Sequence, residues 1–192
     1  MTITPTPSGT SNPSSTSIAM GRTVGSRAHR RAERRARRTC RWVPVGRRLV
    51  VVDIENVIGG SQADSAMVAT ALRLVDDIVG RTGVDVRYVA CGVDLLTTAN
   101  DVLPGGTLLG RGIDGADKRL LELLDPAAVV GRYDAVALVS GDGKAFADAV
   151  EALGVAGVPT DLYGRAGHTS NRLRRAARSV TQLDTGTFAL AA

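Results

Sequence analysis

"VVVDIENVIGG", residues 50–60, sets the reading of the whole chain. An apolar run rich in Val arrives at a carboxylate, Asp53. Glu55, Asn56 and the pair Gly59–Gly60 follow at once. Such a run reads as a buried strand. A carboxylate at its mouth is costly unless it is paired, solvated or bound to a metal. The arrangement recurs in "AVALVSGDG", residues 135–143, where Ser140, Gly141 and Asp142 follow a second apolar run. Two strand ends of this kind in one chain point to a site.

Between and beyond these runs the pattern alternates. "ADSAMVATALRLVDDIVGRTG" carries apolar residues at Met67, Leu72, Val75, Ile78 and Val79, with Gly80 and Gly83 near its end. That is an amphipathic helix with a stop signal. "VDVRYVAC" reads as a strand, "DLLTTANDVL" as a short helix from Asp94, and "GTLLG" as a weak strand. "DGADKRLLELL" opens a helix, "YDAVALVS" is a strand and "KAFADAVEALGVAG" a helix. "VPTDLYG" is a strand, "TSNRLRRAARSV" a last helix and "VTQLD" a short strand. The alternation predicts an α/β fold, a parallel sheet with helices on both faces.

In such a sheet ligands bind outside the carboxyl ends of the strands, at the switch in strand order. If the first and fourth strands are neighbours there, Asp53 and Asp142 face one crevice. Asp114 and Asp117, opening the helix after the third strand, reach the same edge. Carboxylates gathered this way repel one another unless a divalent cation sits among them, and oxygen donors suit magnesium or manganese. Plainer readings exist. Asp114 or Asp117 alone is explained by helix capping, and Asp142 in "SGDG" by a turn. Asp53 is the hardest to explain away.

Charge is unevenly spread. Residues 1–20 carry no charged side chain, and residues 21–48 carry eleven arginines against Glu33 alone, a net +10. The remainder has thirteen basic and eighteen acidic residues, a net −5. The expected organisation is a disordered Ser/Pro-rich and Arg-rich arm over residues 1–47 and a folded, acidic domain over 48–192. Eleven arginines suit a polyanion such as RNA, with DNA as the alternative. Arg30, Arg31, Arg34, Arg35, Arg37 and Arg38 are candidate contacts. Arg172, Arg174, Arg175 and Arg178 on the last helix are a second candidate face, unless they are simply a solvated surface. Aromatics are 3% of the chain, so stacking on bases is scarce and sequence-tolerant backbone binding is expected.

Cys40 and Cys91 form no C-x-x-C pair and no cluster with His29 and His168, which argues against zinc. No apolar run is long enough to span a membrane, and no apolar segment of the secretory kind opens the chain. Cytoplasmic residence is the expectation. Met20 is a second candidate for the start of translation.

"VVVDIENV", "DGADKRLLELL", "AVALVSGDGKAF" and "VPTDLYG" together resemble the NYN domains, a branch of the PIN-like nucleases. The resemblance spans roughly Leu49 to Leu183. Asp53 and Asn56 match the Asp-x-x-Asn that closes the first strand there. Gly115, Ala116 and Asp117 match the Gly-Ala-Asp that opens the middle helix. Ser140, Gly141 and Asp142 match the Ser-Gly-Asp after the fourth strand, and Ser170 with Leu173 fits a late Ser on the last helix. The resemblance implies a three-layer PIN-like fold and a metal-dependent ribonuclease. Asp53, Asp117 and Asp142 would hold magnesium or manganese, with Asp114 as an additional candidate. Asn56 would position a ligand or a phosphate, and Glu55 is of second rank. The chain departs from the family at Lys144, where a second Asp is frequent. Lys144 then either holds a phosphate, offsets the acids, or is plain surface. Two rivals stay open: an RNA-binding module of the same fold without catalysis, and a phosphatase of the haloacid dehalogenase type. The latter usually has Asp-x-Asp where this chain has Asp-Ile-Glu.

Overall fold

Leu49, Val50, Val51 and Val52 have no partner but each other and the sheet, so the strand they form must be covered on both sides. The computed structural model describes residues 46–184, and there β1 (Arg48–Asp53) is buried along its whole length. Its side chains alternate. Val50 and Val52 enter one apolar core, Leu49 and Val51 the other. Burying each Val or Leu contributes about 1.5–3 kcal/mol, and this double burial makes β1 the centre of the fold.

The remaining strands are β2 (Val86–Cys91), β3 (Thr107–Leu109), β4 (Ala135–Val139), β5 (Thr160–Arg165) and β6 (Ser179–Leu183). Their order across the sheet is β3-β2-β1-β4-β5-β6, and every neighbouring pair is parallel. The expected α/β, parallel, three-layer architecture is therefore present among the described residues. Helices α1 (Ile54–Ile58), α2 (Ser65–Val79) and α3 (Val93–Val102) cover one face, through Ile54, Val57, Val68, Leu72, Val75 and Leu95. Helices α4 (Gly115–Leu123), α5 (Pro126–Val129), α6 (Gly143–Val155) and α7 (Asn171–Ala176) cover the other, through Leu120, Val129, Phe146, Val150, Leu153 and Leu173.

The start of β1 is held by a buried ion pair. Arg48 donates from Nε to Asp85 Oδ1 at 3.1 Å and from NH2 to Asp85 Oδ2 at 2.5 Å. Arg48 also donates to the carbonyls of Val79 and Gly80 that end α2. Burial alone would raise the Asp85 carboxyl, but the hydrogen bonds from Arg48 and from the Thr82 N–H hold it below the usual carboxylate range. Upstream, Arg47 donates its N–H to Asp134 Oδ2 at 2.8 Å and accepts the Asp134 N–H at 2.9 Å.

The elements depart from the sequence reading in three places. Two short helices, α1 and α5, were not expected. Gly59 ends α1 in the left-handed region at φ 93, with the Arg165 guanidinium standing where a β-carbon would be. Gly59 is thus a helix stop. The last helix is half the expected length, because Ala177 turns extended and the chain pairs with β5 from Ser179 onward. Arg178 bonds Asp161 through Nε at 3.0 Å and again through NH2, so it ties β6 to β5.

Candidate active site

The first crossover runs outward from β1 to β2 and β3, and the chain then returns to β4 on the other side of β1. The crevice between the carboxyl ends of β1 and β4 is the topological switch. A pocket of about 280 Å³ opens there, lined by Asp53, Glu55, Asn56, Asp114, Asp117 and Asp142, with the backbone of Gly92, Gly112, Gly115 and Ala116. The sequence-derived acids all reach it.

Two of them also cap helices. Asp53, only 6% exposed, is the N-cap of α1, and its Oδ1 accepts the Asn56 N–H at 3.1 Å. Its Oδ2 accepts the Ser140 hydroxyl at 3.0 Å. Asp142 is the N-cap of α6, with Oδ1 accepting from the N–H groups of Lys144 at 2.8 Å and Ala145 at 3.2 Å. Each cap fixes the direction of its carboxylate. The turn reading of Asp142 and its presence in the pocket are therefore both true.

Asn56 links the two loops: its Oδ1 accepts the Gly141 N–H at 2.8 Å. Ser140, 1% exposed, accepts the Asp142 N–H at 3.2 Å while donating to Asp53. Glu55 accepts the Gly92 N–H at the start of α3, at 3.2 Å. Asp117 stands in the first turn of α4. Asp114 occupies that helix's N-cap position without a side-chain cap bond, in the left-handed region at φ 54. It is the one non-glycine residue with positive φ among the described residues. Backbone strain of this kind gathers at functional loops.

Glycines that the sequence reading passed over seat α4. A β-carbon on Gly110 would fall inside the backbone of Gly115 and Ala116, and Gly110 donates its N–H to Cys91 O at 2.9 Å. Backbone thus packs on backbone, which brings Asp117 to the edge where Asp53 ends. The Gly-Arg-Gly spacing of residues 110–112 was the available signal.

The acids feel one another. The Asp53 carboxyl is pushed up to about 7, by burial first and by the charges of Asp117 and Glu55. The hydrogen bonds from Asn56 and Ser140 pull the other way. The Asp117 carboxyl is pushed up to about 6, by burial and then by Asp142, Asp114 and Glu55. Among the described residues, no three His, Cys, Asp or Glu side chains already stand together at metal-binding spacing. The donor chemistry of the pocket is carboxylate and amide oxygen, the kind a hard divalent cation prefers.

The basic candidates divide. Arg30, Arg31, Arg34, Arg35, Arg37 and Arg38 lie outside the described residues. Arg172, Arg174 and Arg175 are exposed on α7. Arg172 bonds Asp148 and stands 3.9 Å from Glu151, both on α6. Lys144 is exposed in the first turn of α6.

Residues 47–184 match the NYN domain family. The chain belongs to that family. NYN domains are a branch of the PIN-like nucleases, and the carboxylate pocket lies where the motifs of this NYN domain converge. Comparison with curated proteins finds no relative. Among solved structures, the NYN domain is similar to a protein of unknown function from Vibrio parahaemolyticus. The identity is 20%, over 73% of this chain and 94% of that one, with a TM-score of 0.47. That likeness is too distant to carry an argument about function. No helix among the described residues is long and apolar enough to cross a membrane.

Proposed function

We propose that this NYN domain is a divalent-metal-dependent ribonuclease that hydrolyses phosphodiester bonds in RNA, with DNA as the alternative substrate. The observation that carries the reading is the convergence of Asp53, Asp117 and Asp142 on one pocket at the sheet's switch point. Two of these carboxyls are pushed up to about 7 and about 6. Burial raises both; Asp117 adds to the rise at Asp53, and Asp142 and Asp114 add to the rise at Asp117.

Magnesium or manganese fits this donor set. Asp53, Asp117 and Asp142 would hold the ion, with Asp114 as the exposed acid of the lining. When bound, it would make a water nucleophilic at neutral pH and neutralise charge on the scissile phosphate. The chain's own residues do the positioning. Ser140 keeps Asp53 Oδ2 turned toward the loop that carries Asp142. Asn56 ties the two loops together and keeps its amide at the pocket wall. Glu55 joins the α3 start to the same edge. The Arg-rich arm supplies the attraction to a polyanion that an acidic pocket lacks.

The rival is a nucleic-acid-binding module without catalysis. Lys144, standing where the family frequently has a second Asp, favours it. Titration calorimetry separates the two. The nuclease reading expects magnesium or manganese to bind at millimolar concentration or below, and the absence of any divalent binding would leave the binding module.

A further inference from the structure

Beside the acidic pocket lies a second, open hollow of about 570 Å³. Asn56 and Asp142 belong to both, so the two spaces share a wall. The rest of the hollow is Gly141, Gly143 and Lys144 on one side and Gly167, His168, Thr169 and Ser170 on the other. We propose that this hollow is a nucleotide subsite for the single RNA strand being cut. In it Lys144 holds a phosphate next to the scissile one and His168 contacts the adjoining base. The proposal rests on the nuclease reading and adds the path that the substrate takes out of the acidic pocket.

The hollow is built, not a chance crevice. Three glycines accept the loop over residues 166–170 at distances that no side chain would allow. A β-carbon on Gly141 would meet the His168 carbonyl oxygen, one on Gly143 the Ser170 hydroxyl, and one on Gly164 the Thr169 hydroxyl. The loop is also pinned by hydrogen bonds. Ser170 donates its N–H to Gly141 O at 3.1 Å, His168 its N–H to Arg165 O at 3.1 Å, and Thr169 its hydroxyl to the same carbonyl at 3.1 Å. The backbone under His168 is thereby fixed against the loop that carries Asp142. A rigid platform spares a ligand the cost of ordering it.

The negative charge is concentrated on one side of Asn56. The acidic pocket holds five carboxylates, whereas the hollow has Asp142 alone, with Lys144, His168 and two hydroxyl-bearing residues. The N-terminus of α6 does not supply the attraction, because Asp142 itself occupies the Lys144 and Ala145 N–H groups. A phosphate in the hollow must be held by side chains. Lys144 is exposed there and offers a mobile point charge suited to a phosphate. His168 is exposed and brings the hollow's single ring, on which a base can stack without regard to its identity. The volume falls in the range of small-ligand sites. The Lys that departs from the family pattern thus has a use: an acid at that position would repel the strand.

The test uses the full chain in EDTA, so that binding is read whether or not the protein cleaves. A fluorescent single-stranded RNA hexamer is titrated by anisotropy into wild type, Lys144→Ala, His168→Ala, the double variant, and Arg132→Ala as a charge control away from the site. Thermal melts check each fold. Each single variant is expected to raise Kd about three- to tenfold and the double variant more than tenfold, with the control unchanged. A hexamer carrying 4-thiouridine, irradiated on the wild type, is expected to give adducts in residues 141–144 or 166–170. Equal Kd for the double variant and wild type, or adducts confined to residues 1–47, would overturn the subsite. Failure of wild type to cleave RNA with manganese or magnesium would overturn the nuclease reading instead, and the two results are separable.

Discussion

Ser140 donates its hydroxyl proton to Asp53 Oδ2 at 3.0 Å, joining two strand ends that lie 87 residues apart in the chain. The Ser140 Oγ in turn accepts the Asp142 N–H at 3.2 Å. One buried hydroxyl therefore holds the Asp53 carboxylate and the backbone of the loop that carries Asp142. Ser140→Ala removes a bond that lowers the Asp53 carboxyl and leaves the Asp142 N–H without its acceptor. The expected result is a loss of about 1–2 kcal/mol in stability and an Asp53 midpoint above about 7. Chemical denaturation and an NMR titration of the carboxyl carbons read both. An unchanged midpoint would mean that the hydroxyl does not steer Asp53.

The raised acids make a pH prediction with a definite sign. Asp53 titrates near 7 in the folded chain and near about 4 when unfolded. Between those values the folded protein holds a proton that the unfolded chain has lost. Stability from this group is fully present below about pH 4 and is lost as pH rises through about 7. Asp117, pushed up to about 6, adds in the same direction. A divalent cation competes with these protons, so the rise in Tm on adding magnesium or manganese should grow from pH 5 to pH 8. Asp53→Asn should flatten the fall and raise the metal-free Tm at pH 8. A metal-free Tm lowered in Asp53→Asn, Asp117→Asn and Asp142→Asn alike would mark these carboxylates as structural.

Gly110 tests whether backbone contact places Asp117. Gly110→Ala forces a β-carbon into Gly115 and Ala116. It should cost about 1–3 kcal/mol and lower cleavage by tenfold or more through displacement of α4. Gly154→Ala, on the exposed side of α6 with open space around it, should raise stability by up to about 1 kcal/mol and leave cleavage alone. Equal behaviour of the two would contradict the packing account.

Much of this was readable in the residues because it depends on local pattern. The Val-rich runs of β1 and β4, each meeting an acid, mark the sheet's centre and its functional edge. What escaped depends on partners distant in the chain. "TSNRLRRAARSV" reads as one helix until Asp161 is known to wait for Arg178 and Ser179, and that pairing draws residues 179–183 into β6. The five-residue α1 gives no periodicity to see, although Asp53 as N-cap and Gly59 as stop bracket it. The acids were legible as a cluster, and capping was weighed for Asp114 and Asp117, but the side-chain caps in this cluster fall to Asp53 and Asp142, each already explained as a strand-end or turn acid. Likewise the glycines of "SGDG" read as a turn, while their closeness to residues 168–170 exists only in the fold.

The arm predicts a salt effect. Removing residues 1–45 keeps the Arg47 bonds to Asp134 and deletes nine arginines. The slope of log affinity for single-stranded RNA against log salt changes by about 0.7 for each phosphate that the protein no longer neutralises. Deletion should flatten the slope by several units while metal-dependent turnover at saturating RNA persists, because every pocket acid lies at or after Asp53. An unchanged slope would assign the arginines to a different partner.

The central claim is hydrolysis at the Asp53, Asp117 and Asp142 pocket, and cleavage of end-labelled single-stranded RNA tests it most directly. Wild type should cleave with manganese or magnesium and stop in EDTA. Asp53→Asn, Asp117→Asn and Asp142→Asn should each lose at least about a hundredfold in rate while remaining folded. RNA that is bound but uncut in both metals, or three variants that cut as fast as wild type, would contradict the account.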